Sequence, residues 1–461
     1  MHRRHATFPV ILAFIVGSGC LWGQGYGLYE QSTCAMGRAG AGVAAPCSDA
    51  SGIFYNPAGL SFDNTQFSLG GVVVGPRGQF TDSTTGQVSK LNEHWYPIPN
   101  FYYSKPVAKK LALGLGVFAP YGLTTEWPID SQGRYLGYKS LVQSIYIQPT
   151  LALRLNDKVS VGGGVDITYL NVQLRQRVDL STQLLPPLPG VPLGATFALL
   201  GVQPGTDFAD VDLEGHAWHA GYHLGVLVKA NDRISFGLRY LSGQEVDVND
   251  GRISTQQISV PYTLPFTIPG VAPKGTPLDV LLQPQFAAGA PLSDQNASAR
   301  LPLPGQLVAG TAVQLSPKLK LLLDYQFTRW SKFDQLPING EFLKSVITES
   351  YRDSHGVRAG ADIALGTKSV LRLGVDIHTA AAPDQTVTPN LPEGWRQEYS
   401  VGFGRKLWER MHFDIAYMRL MQPDRAGRTT NGGKLVPTTA DNNGIFSFNA
   451  NLIGASLSMK F

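Results

Sequence analysis

The chain has 461 residues, 16% of them charged, and its 51 glycines make about 11% of the total, against a usual ~25% charged and ~7% glycine. The net charge is only +4, from 38 basic and 34 acidic groups, and 43% of residues are hydrophobic; this excludes a nucleic-acid footprint and a disordered chain. Mean hydropathy is −0.04 and no apolar run reaches the ~18 residues of a membrane helix. What remains is a soluble β-rich protein or a membrane β-barrel, whose alternating strands average to neutral hydropathy.

Residues 1–24 read as a signal peptide. Arg3 and Arg4 precede the apolar stretch Phe8 to Val16, which is too short to span a bilayer. Cleavage is expected near Gly23 or Gln24. Cys20 only faintly resembles a lipoprotein acceptor, because Gly17 stands where such sites carry a large aliphatic residue. The exported chain then keeps Cys34 and Cys47, which can close a small disulfide loop or stay as two buried thiols.

Residues 25–63 show neither alternation nor a helical stripe, and the small-residue run Gly37 to Ala45 suits a compact segment packed inside something else. From about residue 65 the pattern has period two. In 141–155 the odd positions Ile145, Ile147, Leu151, Leu153 and Leu155 oppose Ser144, Tyr146, Gln148, Thr150 and Arg154. The same split recurs in 319–327 and 371–378. Fourteen strands are expected, at 65–74, 98–107, 111–119, 140–155, 159–177, 214–229, 233–248, 306–315, 319–330, 354–365, 369–379, 396–405, 411–422 and 444–461. Short turns alternate with long loops between them, and the even count, the loop sorting and the amphipathic last strand ending in Phe461 describe a bacterial outer-membrane barrel. Trp95, Trp127, Trp218, Trp330 and Trp408 fall near strand ends, where aromatic girdles sit.

The segment before the barrel carries a resemblance. Gly25 to Ser32, Gly37-Arg38-Ala39 and Asp49 to Leu60, which includes Asn56-Pro57-Ala58, resemble the opening of the long-chain fatty acid transporter family of outer-membrane proteins, which includes transporters for toluene and related hydrocarbons. Further similar stretches are Phe101-Tyr102-Tyr103, Ala119 to Leu123, Gly133-Arg134-Tyr135, Leu155 to Gly162 and Arg329 to Phe333. The resemblance implies an all-β, 14-stranded antiparallel barrel over 64–461, closed by an N-terminal hatch over 25–63. It further implies ligand capture by external loops and lateral exit through an inward kink in the third strand. Gly114 and Gly116 in that strand either permit the kink or leave room for the hatch.

The loops are apolar where water-facing loops are usually polar. Leu184, Leu185, Leu188, Phe197, Leu199 and Leu200 in 178–213, with Phe266, Leu281 and Leu282 in 249–305, form either a capture groove or a lid packed on itself. Arg239 and Arg358, and behind them Arg154, Lys320 and Arg372, point into the lumen and could meet a carboxylate. Asp166, Asp324, Asp362, Asp376 and Asp414 point inward too, so cross-strand ion pairs are the plainer expectation. His216, His219 and His223 do not make a metal site: 219 and 223 lie roughly 13 Å apart along a strand, and 216 falls on the opposite face. No catalytic or cofactor motif appears in its required context.

The expectation is therefore a cofactor-free, non-enzymatic, monomeric transporter of the bacterial outer membrane, set among its lipids and inserted by the barrel-assembly machinery. It passes hydrophobic molecules by passive diffusion, long-chain fatty acids first. Neutral aromatic or alkane hydrocarbons are the alternative ligands, and a non-selective porin or structural barrel the alternative role.

Overall fold

The computed structural model describes residues 25–185, 191–431, 434–437 and 443–461. The signal peptide expected over 1–24, with Cys20, and the loop residue Leu188 lie outside the described residues.

Fourteen antiparallel strands close into a barrel. They are β1 (Gln66–Asp82), β2 (Tyr96–Ala108), β3 (Leu111–Phe118 and Gly122–Glu126), β4 (Lys139–Arg154), β5 (Val159–Asp179), β6 (Asp207–Lys229) and β7 (Ile234–Leu241 and Gln244–Gln257). There follow β8 (Gln295–Leu303 and Gln306–Ser316), β9 (Leu319–Thr328), β10 (Ser354–Leu365), β11 (Ser369–His378), β12 (Arg396–Lys406), β13 (Met411–Met421) and β14 (Gly444–Lys460). Closure is made by β1 against β14, in unbroken register from Gln66↔Lys460 to Asp82↔Gly444, so the sheet has no free first or last strand.

The barrel is turned inside out relative to a soluble core. Leu151, Leu153, Leu321, Leu323, Leu373 and Ile377 face outward, while Ser144, Gln148, Asp324, Gln326 and Asp376 are buried on the inner face. Each expected alternation therefore holds, with its greasy side toward lipid. The short turns fold on local chemistry. Asn156 Oδ1 accepts from the N–H groups of Lys158 and Val159, both at 2.9 Å, and Asn231 does the same for Arg233 and Ile234, the side-chain turn that Asn favours.

Strand ends differ from expectation on the long-loop side. β6 starts at Asp207 rather than 214, β7 runs to Gln257 and β8 begins at Gln295. About 9–11 residues suffice to cross a bilayer, so these extensions stand above the membrane as a paired rim. The loop after β9 also holds a hairpin, Gln335–Gly340 with Lys344–Thr348. Of the expected girdle tryptophans, Trp95, Trp218 and Trp408 are exposed. Trp127 and Trp330 are instead fully packed. Trp127 donates its Nε1–H to Pro389 O at 2.9 Å, and Trp330 meets Tyr26 edge-on with ring centroids 4.6 Å apart.

Residues 25–63 fill the lumen as short helical turns, Thr33–Met36, Gly52–Tyr55 and Pro57–Phe62. Cys34 and Cys47 are joined by a disulfide across them. The barrel wall makes room with glycine at the closest approaches. A Cβ at Gly237 would strike the backbone of Val43, and one at Gly374 the Arg38–Ala39 backbone.

Candidate functional site

The polar belt of the lumen holds the hatch. Asp324 accepts the N–H groups of Gly42 at 2.7 Å and Val43 at 3.0 Å. Asn56 donates to Val43 O at 2.7 Å and to Val226 O of β6 at 2.9 Å, while its Oδ1 accepts from Ala58 N. Pro57 opens the next turn, and Ala58 O accepts from Ser160 of β5 at 2.9 Å. The Asn56-Pro57-Ala58 tripeptide is thus a clamp between hatch and wall.

The five basic candidates face this hatch or the short-turn end of the barrel. Arg239 lies over the Phe54 ring at 4.0 Å and donates to Gln306 at 3.1 Å. Arg358 pairs with Asp376 at 3.1 Å and lies over Tyr29 at 4.5 Å. Arg372 bridges Asp414 at 2.6 Å and Asp362 at 3.7 Å, and Arg38 of the hatch reaches Asp362 at 3.2 Å. Lys320 stands opposite Asp362 across the β9–β10 ladder. Arg154 donates to Lys109 O at 2.7 Å in a turn. Of the histidines, His216 meets Asp250 at 3.4 Å on the outside, whereas His223 is buried between Asp166 (2.5 Å) and Thr150 (3.0 Å). They share no site. Among the described residues the one cluster with metal-ligand types is Cys34, Cys47 and Asp49, whose sulfurs are already bonded to each other.

The third strand breaks at Ala119-Pro120-Tyr121. Its first segment is paired on both sides, with β2 through Phe101↔Val117 and with β4. Its second segment pairs with β4 alone, leaving a slot toward β2. Proline has no N–H to give a ladder, and the freed backbone groups find other partners. Gln31 of the hatch donates to Ala119 O at 2.8 Å and accepts from Ala119 N at 3.1 Å. Leu28 N donates to Pro120 O at 2.8 Å, and Gly122 N to Tyr26 O at 2.9 Å. Ser144 serves both backbone groups of Tyr121. Gly114 and Gly116 lie below this break in regular ladder. A Cβ at either would press on Ile53 of the hatch, so they make room for the hatch and the bend falls elsewhere.

Above the hatch, and against the break, lies a cavity of about 100 Å³. Tyr26 of the hatch and Leu123 of β3 form its floor beside the slot. Val142, Val172, Leu174, Leu213, Leu301 and Ile347 are among the apolar residues that complete it. Its polar lining is Ser140, Gln173, Asn390, Glu349 and the two phenols Tyr26 and Tyr351. Burial pushes the Glu349 carboxyl up to about 8. Neither this cavity nor Glu349 was legible in the sequence, because residues from six barrel strands, the hatch and two loops meet there and the 335–348 hairpin that carries Glu349 into place read as plain loop.

The apolar loops pack chiefly on one another. Leu185, Phe197, Leu200 and Leu282 are buried in one cluster with Phe208, Leu264 and Leu278, and Leu281 packs against it. Leu184, Leu199 and Phe266 remain exposed on the outside. The lid is therefore a small folded unit with its own core.

A closed 14-stranded barrel, an internal hatch, a wall strand broken at the level of an apolar cavity and a greasy outer belt define a hatched outer-membrane channel for apolar molecules. Residues 14–461 match the family described as outer membrane protein transport protein (OMPP1/FadL/TodX), and the chain belongs to that family. It is an outer-membrane transport protein of hydrophobic compounds and not an enzyme. It is 27% identical over 443 residues to outer membrane protein P1 of Haemophilus influenzae, covering 88% of each chain. To the long-chain fatty acid transport protein of Escherichia coli O6:H1 it is 25% identical over 408 residues, 86% of each. Among solved structures, a Pseudomonas aeruginosa FadL homologue superposes with a TM-score of 0.76 at 19% identity, over 95% of this chain and 100% of that one. The Pseudomonas putida toluene transporter TodX gives 0.65 at 16% identity, over 96% and 99%.

Proposed function

We propose that the chain passes hydrophobic small molecules by passive diffusion, holding them in the cavity above the hatch and releasing them sideways into the membrane at the break in β3. The observation that carries this reading is the contact between the two features. Tyr26 and Leu123 line the cavity, and Gly122 between break and cavity is bonded to Tyr26, so a ligand leaving the cavity need only displace the hatch segment that fills the slot. The cavity volume is of the order of the ~150 Å³ dry apolar cavity that takes benzene, which supports ring-sized neutral hydrocarbons, or one end of an acyl chain, as the occupant.

Long-chain fatty acids are the second reading, favoured by the similarity to proteins named for fatty acid transport. Their carboxylate would have to find its donor outside the four lumen arginines, which hold the hatch, ion pairs or a turn. Uptake of labelled toluene and labelled oleate by cells lacking their own transporter, with and without this chain, tests both. Uptake of neither, together with a steady ion current through the protein in a planar bilayer, would replace the proposal with a porin.

A further inference from the structure

Glu349 has no place in the fold that explains its charge. Its backbone is held firmly, the N–H donating to Asp334 O at 2.8 Å and the carbonyl accepting from Thr386 Oγ1 at 2.6 Å. Its side chain lines the apolar cavity, which no lysine, arginine or histidine lines. Among the described residues nothing donates to the carboxyl or pairs with it. Glu349 is half-buried as a residue, and a carboxylate drawn largely out of water is ordinarily paired or hydrogen-bonded, so an unpartnered one on the wall of a ligand-sized space marks a group whose partner arrives with the ligand.

The groups around it do not supply that partner. Tyr26 faces it from the hatch and Tyr351 from two residues along, and burial holds both phenols well above their ordinary range, hence neutral. Asp334 lies at the surface and would add only like charge. Behind Tyr351, Glu393 accepts from the N–H groups of Gly25, Ala381 and Ala382. Arg425 is spent on Glu393 O, Ala382 O and Asp384.

Resting on the pocket reading above, we propose that Glu349 is the specificity-determining residue of this cavity: uncharged ligands enter freely, and a carboxylate enters only while Glu349 carries a proton that the two groups share. Protonated, Glu349 donates its O–H to the ligand carboxylate, and one proton serves two carboxyl groups with one negative charge left over, the arrangement of paired carboxylates elsewhere. Ionised, it sets anion against anion in a low-dielectric space without a compensating cation. Burial already moves its proton loss to about 8, so the acid-accepting form prevails at neutral pH and is lost in mild alkali.

The test uses the full chain in lipid nanodiscs and a matched ligand pair, benzyl alcohol and benzoate, whose affinities are measured by ligand-detected NMR. Benzoate is ionised from about pH 6 upward and benzyl alcohol stays neutral. Between about pH 6 and about pH 9.5 the ratio of benzyl alcohol to benzoate affinity is expected to rise by about tenfold or more in the wild type, the order of one close like-charge contact. In Glu349→Gln the ratio should stay flat with pH. The wild-type titration needs no variant, so a Glu349→Gln protein that fails to insert leaves the inference testable. A flat wild-type ratio, or the same rise in Glu349→Gln, would overturn it while the pocket reading stands. Binding of neither ligand at any pH would overturn both.

Discussion

The hydrogen bonds at the break in β3 identify Gln31 as the latch between hatch and wall. Gln31 is fully buried, and its side-chain amide meets both backbone groups of Ala119, at the residue where β3 loses its ladder. Its own backbone is held separately, by Tyr55 Oη at 3.1 Å and by the Tyr102 hydroxyl at 2.7 Å. Replacing Gln31 by Met keeps the length and volume of the side chain and removes only the amide. Two backbone groups of Ala119 are then orphaned, each at about 1–3 kcal/mol. Taking about 1.4 kcal/mol for each gives about 3 kcal/mol against the seated hatch, or roughly a hundredfold in the population that leaves the slot.

That change is read in two ways. Single-channel recording in a planar bilayer should show brief openings in Gln31→Met at a frequency far above that of the wild type. A protease added from the long-loop side should cut residues 25–35 faster, while the barrel keeps its resistance to unfolding in cold detergent. Equal opening frequency and equal cleavage in the two proteins would refute the reasoning, because it would mean that water or the neighbouring contacts serve Ala119 as well as the amide does.

Other substitutions separate hatch and cavity. Changing Cys34 and Cys47 together to Ser removes a cross-link over 13 residues, worth about 3 kcal/mol on the chain-entropy estimate; the hatch should become protease-sensitive at lower temperature while the barrel melts as before in circular dichroism. Gly374→Leu drives a side chain into the Arg38–Ala39 backbone, so the barrel should insert but conduct ions continuously. Val142→Trp fills the cavity, and uptake of the transported ligand should fall by about tenfold or more, with overpacking limited to about 1–3 kcal/mol. Finally, Glu349 holds its proton more tightly in the folded loop, at about 8, than the ordinary 4.5 of a glutamate. Its contribution therefore favours the folded loop most below the ordinary value and weakens as pH rises to about 8. Protection of the 335–351 amides from hydrogen exchange, corrected for the intrinsic rise of exchange with pH, should fall across that window in the wild type and stay level in Glu349→Gln.

The barrel was open to reading because its physics is local. Period-two patterning fixes which face meets lipid, and Asn156 and Asn231 write their turns within four residues. The extended rim was not, since the polar, irregular stretches 207–213 and 249–257 become strand by pairing across the sheet and carry little alternation of their own. The kink illustrates the same limit. Glycine in β3 drew attention to positions 114 and 116, whereas the bend falls at Ala119–Tyr121 because Pro120 cannot donate and hatch residues nearly ninety positions earlier take up the loose ends. The lumen charges were placed on the right face, yet a face does not tell what a charge touches. Whether Arg239 meets a ligand or Phe54 depends on where the hatch lies.

That dependence explains why the cavity could hold its one unpaired acid in view. A hatch packed into a polar lumen must satisfy both its own backbone and the inward strand residues, and here it does so by consuming the cations below: Arg239 over Phe54, Arg358 over Tyr29, Arg38 to Asp362. The lower lumen is thereby filled by a packed plug. The space above it is built from the other half of each strand, where apolar residues such as Val142, Val172 and Leu174 face inward in the rim. A ligand therefore meets the apolar half first and alone, and charge reading in this protein passes from the arginines that the plug has taken to the single carboxyl left on the cavity wall.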